Sequence, residues 1–222
     1  MTKKEKEEDH SISELKRCYC KIRDAIETRL SEFIEIWASR NDEEIHSELI
    51  FCLLTPQAKA KSCWYVVEKI SQNGLLLDGD ERKLSEEFNL VRFKNKKASY
   101  VVKARNQFMK DSITDLKSKI QEFNDILEAR EWLVKNIKGF GYKEASHFLR
   151  NIGVGGNLAI LDRHILKNLK DLGIIEKIPI SLSKRKYIEI ENRMKEFSNN
   201  IEIPVSHLDL LFWYKETGEI FK

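Results

Sequence analysis

The sequence predicts an all-α protein, and two observations carry that reading. Only nine glycines and three prolines occur in 222 residues, and apolar side chains recur at spacings of three and four, the period of amphipathic helices, rather than at the spacing of two that marks strands. A chain of 26.1 kDa is long enough to bury a core without disulfides or a structural metal.

The elements follow in order. Residues 1–10, with the charged opening MTKKEKEED, read as a tail without fixed structure, and residues 11–222 as one helical domain. Ser11 and Glu14 have capping-box spacing and open a long helix through Leu15, Ile22, Ile26, Leu30, Phe33 and Trp37. A second helix starts near Asp42, stops at Thr55-Pro56 where proline removes a donor, and resumes near Ala58, which leaves Gln57 on a turn. Further helices are expected over 80–90, 95–109, 113–120, 125–137, 142–152, 163–172, 183–198 and 206–217, with Gly173 and Gly218 as stops.

Composition excludes several classes. The net charge is +3, from 39 basic and 36 acidic side chains, so an anionic partner must be met by a local patch. Mean hydropathy is −0.47 and no apolar run reaches the roughly 20 residues of a membrane span. The opening residues lack the apolar segment of a secretory leader, so an intracellular location (cytoplasm or nucleoid) is expected, and no membrane partner. Cys18, Cys20, Cys52 and Cys63 have neither zinc-site nor iron-sulfur spacing and read as reduced core thiols; no metal and no cofactor is expected.

Five of the nine glycines fall between Gly139 and Gly156. Two amphipathic segments flank Lys138-Gly139-Phe140-Gly141-Tyr142, a turn in which glycines permit unusual backbone angles while Phe140 plugs back into the core. This is a helix-hairpin-helix spanning 125–152, and the first-turn N–H groups of its second helix suit a phosphate. Lys143 lies in that first turn, where the helix dipole disfavours an ammonium, and a neutral amine is a nucleophile. Asp162 precedes Arg163-His164-Ile165-Leu166 as an N-cap, and a carboxylate held there can also stabilise a developing cation. Arg92 to Arg105 contains six basic residues and no acidic one, with Lys96 and Lys97 at its centre, and suits a DNA-facing surface. These residues alone leave three readings open: an enzyme, a non-catalytic hairpin module that holds duplex DNA, and a structural helical adaptor.

The stretch IKGFGYKEASHFLRNIG followed by LAILDRHIL resembles the helix-hairpin-helix DNA glycosylases, and Lys143 and Asp162 stand 19 residues apart, about the offset of the lyase-type members. The blocks KGFGYKEASHFLRN, KRKYIEIEN and LDLLFWYKETGEIFK are similar to the compact, type 2 branch of 8-oxoguanine DNA glycosylase/lyases. The resemblance runs from residue 11 onward and is most specific in the last hundred residues.

It implies two interleaved helical subdomains with the active-site cleft at their junction, excision of 8-oxoguanine from duplex DNA, and strand cleavage by β-elimination through a lysine Schiff base. Lys143 is then the nucleophile and Asp162 the stabiliser of the sugar cation. Gly139 and Gly141 hold DNA, Gln57 enters the gap left by the flipped base, Trp213 stacks on that base, and Lys222 distinguishes 8-oxoguanine from guanine. His147 either borders this pocket or packs. The implied partner is double-stranded DNA carrying 8-oxoguanine or abasic sites, bound by a monomer. A glycosylase/lyase for another oxidised base is the alternative, while the absence of a C-terminal cysteine quartet counts against the iron-sulfur branches.

Overall fold

The computed structural model describes the backbone of residues 3–39, 41–108 and 115–222, with side chains for all of these except residues 3–9 and 115. Twelve α-helices are present among them and no strand. They are α1 (Lys3–Ala38), α2 (Asp42–Leu54), α3 (Ala60–Gln72), α4 (Leu75–Asp78), α5 (Glu81–Glu87), α6 (Lys94–Phe108), α7 (Asp115–Gln121), α8 (Ile126–Asn136), α9 (Tyr142–Asn151), α10 (Arg163–Asp171), α11 (Lys184–Ile201) and α12 (Val205–Thr217), with a 3₁₀ turn at Phe88–Leu90.

Most helix boundaries fall within a few residues of the expected ones. The expected start at residue 113 and end at residue 109 lie outside the described residues. Two differences concern local signals. Residues 3–10, expected within a tail without fixed structure, belong to α1, and Ser11 lies inside that helix rather than capping it, because the lysines and glutamates before it are themselves good helix formers. The single turn α4 is too short to show a period in the sequence. The expected stops hold: Gly173 and Gly218 have φ of 73° and 77°, the left-handed region that ends helices.

The chain divides into two compact units, Glu35–Val154 and Met1–Ile34 with Gly155–Lys222. In the first, α2 is the central helix, buried at Ile45, His46 and from Glu48 to Leu54, and α3, α6, α7 and α9 pack around it. The unit also closes the end of α1: Lys117 Nζ donates to the carbonyls of Trp37 (2.6 Å) and Ser39 (2.8 Å), a cation placed on the negative end of a helix that has no basic residue in its own last turn.

In the second unit α12 packs on α10 and α11. Leu158 to Leu161 is buried but in no regular element, and α11 supplies side chains where a sheet would supply a neighbouring strand. Tyr187 Oη donates to the Ala159 carbonyl at 2.6 Å and accepts from Leu161 N–H at 3.3 Å, while Glu191 Oε1 accepts from Ala159 N–H at 2.9 Å. These bonds satisfy backbone groups that burial has cut off from water.

The cysteines depart from the expected set of core thiols. Cys52 and Cys63 are buried, but Cys18 is only partly covered and Cys20 is exposed, since both belong to the outer part of α1. Burial pushes the Cys52 thiol well above its ordinary value and that of Cys63 up to about 11.

Candidate active site

The hairpin forms as its glycines require. Gly139 has φ of 103°, and a Cβ built on it would lie 2.5 Å from Tyr100 Cδ2 and 3.2 Å from Leu53 Cδ2. No side chain fits between the turn and the α6 face, so glycine is needed there for both backbone angle and space. Phe140 is buried with its ring tilted against Phe148, at a centroid distance of 6.2 Å. Gly141 has ordinary extended backbone, and its N–H donates to Glu144 Oε2 at 3.1 Å, the reaching-back half of a capping box. Tyr142 Oη donates to Glu131 Oε1 at 2.5 Å, which ties α9 back to α8.

Lys143 is the second residue of α9 and is partly buried. Its Nζ donates to Thr55 Oγ1 at 3.3 Å. Thr55 in turn donates to the Cys52 carbonyl at 3.0 Å.

The buried Lys97 sends its Nζ to the carbonyls on either side of Thr55, Leu54 at 2.6 Å and Pro56 at 2.7 Å. Burial lowers the Lys97 pKa, and the nearby Lys143 adds to this while Cys63 and Glu144 oppose it. Lys97 was expected on the DNA-facing surface. It is instead an internal clamp, because its place on α6 faces the α2–α3 turn and its ammonium is held by two backbone carbonyls. Arg105 is likewise buried and donates to the Gly79 carbonyl at 2.8 Å.

Lys96 is exposed, with Nζ 5.7 Å from the centre of the Tyr100 ring that packs under Gly139, so it borders the hairpin. Gln57 is exposed with φ of 55°, a left-handed angle uncommon for a residue with a Cβ. Phe93 shares that angle, at 61°, and stands half exposed with the Arg92 guanidinium 4.9 Å from its ring centre. The sequence offered no sign of this bend, since no glycine or asparagine marks position 93. His147 is buried with its ring edge-on to Phe51, and so packs in the interior.

In the second unit Asp162 is the N-cap of α10, its Oδ1 accepting from Ile165 N–H at 2.8 Å. It follows directly on the segment that Tyr187 and Glu191 pin. Trp213 is partly buried and meets the His164 ring edge-on at 5.3 Å and 85°. His164 Nδ1 is 3.8 Å from Glu216 Oε2, and Glu216 also accepts from Lys167 and Asn168. Those bonds, with Lys167 first, hold the Glu216 carboxyl below its ordinary range. Lys222 is partly buried. No group of three or more potential metal-ligating side chains occurs among the described residues, and no helix among them is long and apolar enough to cross a membrane.

A family model of helix-hairpin-helix 8-oxoguanine DNA glycosylases matches residues 26–203. The chain belongs to this glycosylase family. An 8-oxoguanine DNA glycosylase/AP lyase of Fusobacterium nucleatum is 44% identical over 211 residues, which cover 95% of this chain and 97% of that one.

The crystal structure of the Methanocaldococcus jannaschii 8-oxoguanine glycosylase/lyase in complex with a 15-mer DNA containing 8-oxoguanine matches with a TM-score of 0.86 at 38% identity, covering 95% of this chain and 99% of that one. The 8-oxoguanine DNA glycosylase of Thermotoga maritima matches with a TM-score of 0.86 at 31% identity, covering 97% and 100%. As in these glycosylases, the helical plan extends over nearly the whole chain, so the resemblance seen in the hairpin and C-terminal blocks is one of the entire domain.

Proposed function

We propose that this glycosylase excises 8-oxoguanine from duplex DNA and then cleaves the strand at the abasic site through a Schiff base on Lys143. The observation that carries the reading is a partly buried lysine in the first turn of the hairpin's second helix, bonded to a neutral hydroxyl rather than to a carboxylate. The hydroxyl holds the side chain at one end without bonding the amine into an ion pair, which keeps Nζ placed at the hairpin.

In the proposed sequence the damaged nucleotide leaves the stack, because its C1′ is otherwise out of reach. Lys143 Nζ bonds to C1′ as the glycosidic bond breaks and the base departs with the bonding pair, taking up a proton. Asp162 stabilises the cationic character of the sugar. Ring opening gives the imine, loss of a C2′ proton follows, and the C3′–O bond breaks, leaving a nick on the 3′ side. The N–H groups of the first turn of α9 and the exposed Lys96 hold phosphates of the backbone. Trp213 offers a ring face to the flipped base, and Lys222 distinguishes 8-oxoguanine, which carries a proton on N7, from guanine, which has none there. The partner is double-stranded DNA bearing the lesion or an abasic site, and the acting species is a monomer.

The test is borohydride trapping on duplexes that carry one 8-oxoguanine, one abasic site or no lesion, with wild type beside Lys143→Gln and Asp162→Asn. Adducts on both damaged duplexes that require Lys143 are expected, with DNA affinity retained in both variants. Adducts on the abasic duplex alone would point to another oxidised base, and no adduct on any duplex would make the chain a DNA-holding module.

A further inference from the structure

We infer that Thr55 is a positioning residue for the Lys143 amine and that Lys97 holds Thr55 in place; this rests on Lys143 being the nucleophile. The turn after α2 has its polar groups fixed one by one. Thr55 N–H donates to the Phe51 carbonyl at 3.1 Å and Ala58 N–H to the Thr55 carbonyl at 3.0 Å. The Leu54 carbonyl accepts from Lys97 and from the Cys63 thiol, and the Pro56 carbonyl accepts from Lys97. Thr55 therefore has carbonyls on both sides tied to one buried ammonium, and its side chain is itself buried.

A threonine hydroxyl has one hydrogen and two acceptor positions. The hydrogen of Thr55 is given to the Cys52 carbonyl, so towards Lys143 the hydroxyl can only accept. One N–H of the amine then points at Thr55, and the nitrogen lone pair points elsewhere. This limits rotation about the Cε–Nζ bond before a sugar arrives, and pre-set orientation of a nucleophile contributes directly to rate.

Single-turnover trapping on an abasic duplex, with Kd measured on the same duplex, tests the inference in the full chain. Thr55→Val and Thr55→Ala are expected to slow trapping on the order of tenfold to a hundredfold at unchanged Kd. Thr55→Ser, which keeps the oxygen, should react within about threefold of wild type, and Lys97→Met should slow trapping like Thr55→Val. Two Thr55 variants guard against misfolding of either, since alanine removes the acceptor without adding bulk. Thr55→Val and Thr55→Ala at wild-type rate, or Thr55→Ser no faster than Thr55→Val, would overturn the inference. Lys143→Gln is carried alongside: if it still traps, the nucleophile assignment itself is wrong, whereas its inactivity beside a fully active Thr55→Val removes only the role given to Thr55.

Discussion

The Tyr187 hydroxyl donates to the Ala159 carbonyl at 2.6 Å and so anchors the buried, irregular segment that ends at Asp162. With the Glu191 carboxylate one helical turn further along α11, it does for this segment what a neighbouring strand would do. The KRKYIEIEN block, which in the sequence is only a mark of resemblance, thereby gains a physical role, since it fixes the approach to the N-cap of α10.

Removing that hydroxyl should be felt in both stability and rate. Tyr187→Phe leaves the Ala159 carbonyl and the Leu161 N–H without their partner, at a cost of about 1–3 kcal/mol. For a domain of this size that corresponds to a Tm lower by roughly 2–12 °C. Excision should slow as well, since Asp162 is aimed from this segment, and calorimetry with single-turnover excision would show both effects. An unchanged Tm would mean that the bonds add nothing to the folded state.

Gly139→Ala meets two obstacles at once, a φ of 103° and a Tyr100 ring atom 2.5 Å from the new methyl. The backbone alone should cost at least about 1 kcal/mol, and displacement of Tyr100 would also move the exposed Lys96 that lies over it. The expected result is weaker binding to an abasic-site duplex with a lower Tm; binding equal to wild type would show that the hairpin does not touch DNA.

Two neighbouring lysines should behave differently on DNA. Lys96 is exposed, so Lys96→Gln should weaken binding and reduce the slope of log K against log salt by about one. Lys97 is buried on carbonyls, so Lys97→Met should leave that slope unchanged. Titrations at a series of salt concentrations decide the matter, and equal loss of slope in both variants would count against the internal position of Lys97.

His46 should make stability depend on pH. Burial pushes its imidazole down to about 4, with Arg105 adding to the shift, while in the unfolded chain it titrates near 6.5. Below that value the unfolded chain binds a proton that the folded protein does not, so stability is full above pH 6.5 and declines as pH falls towards 4, by on the order of 3 kcal/mol. Denaturant unfolding at several pH values should show this slope and a flatter one for His46→Leu; parallel curves would remove His46 as its source.

The residues that sequence reading located are those whose signals are local. Periodicity gave the helices, the two glycines around Phe140 gave the hairpin, and capping chemistry placed Lys143 and Asp162 at helix starts, while the roles given to that pair came from the resemblance of the blocks around them. Of what lies around them, little was legible. Lys97 reads as one more cation in a basic run, and Thr55 as the end of a helix before proline.

Composition, helical period and capping residues specify an all-helical chain, the hairpin, and a lysine and an aspartate at the starts of α9 and α10. That Thr55 meets a lysine 88 positions away, that Lys97 is turned inward, and that α11 pins the segment before Asp162 all come from helix packing. Helix periods and caps are set by neighbours within about one turn and leave a pattern in the sequence. A hydrogen bond between distant residues depends on how helices pack, and no spacing along the chain records it.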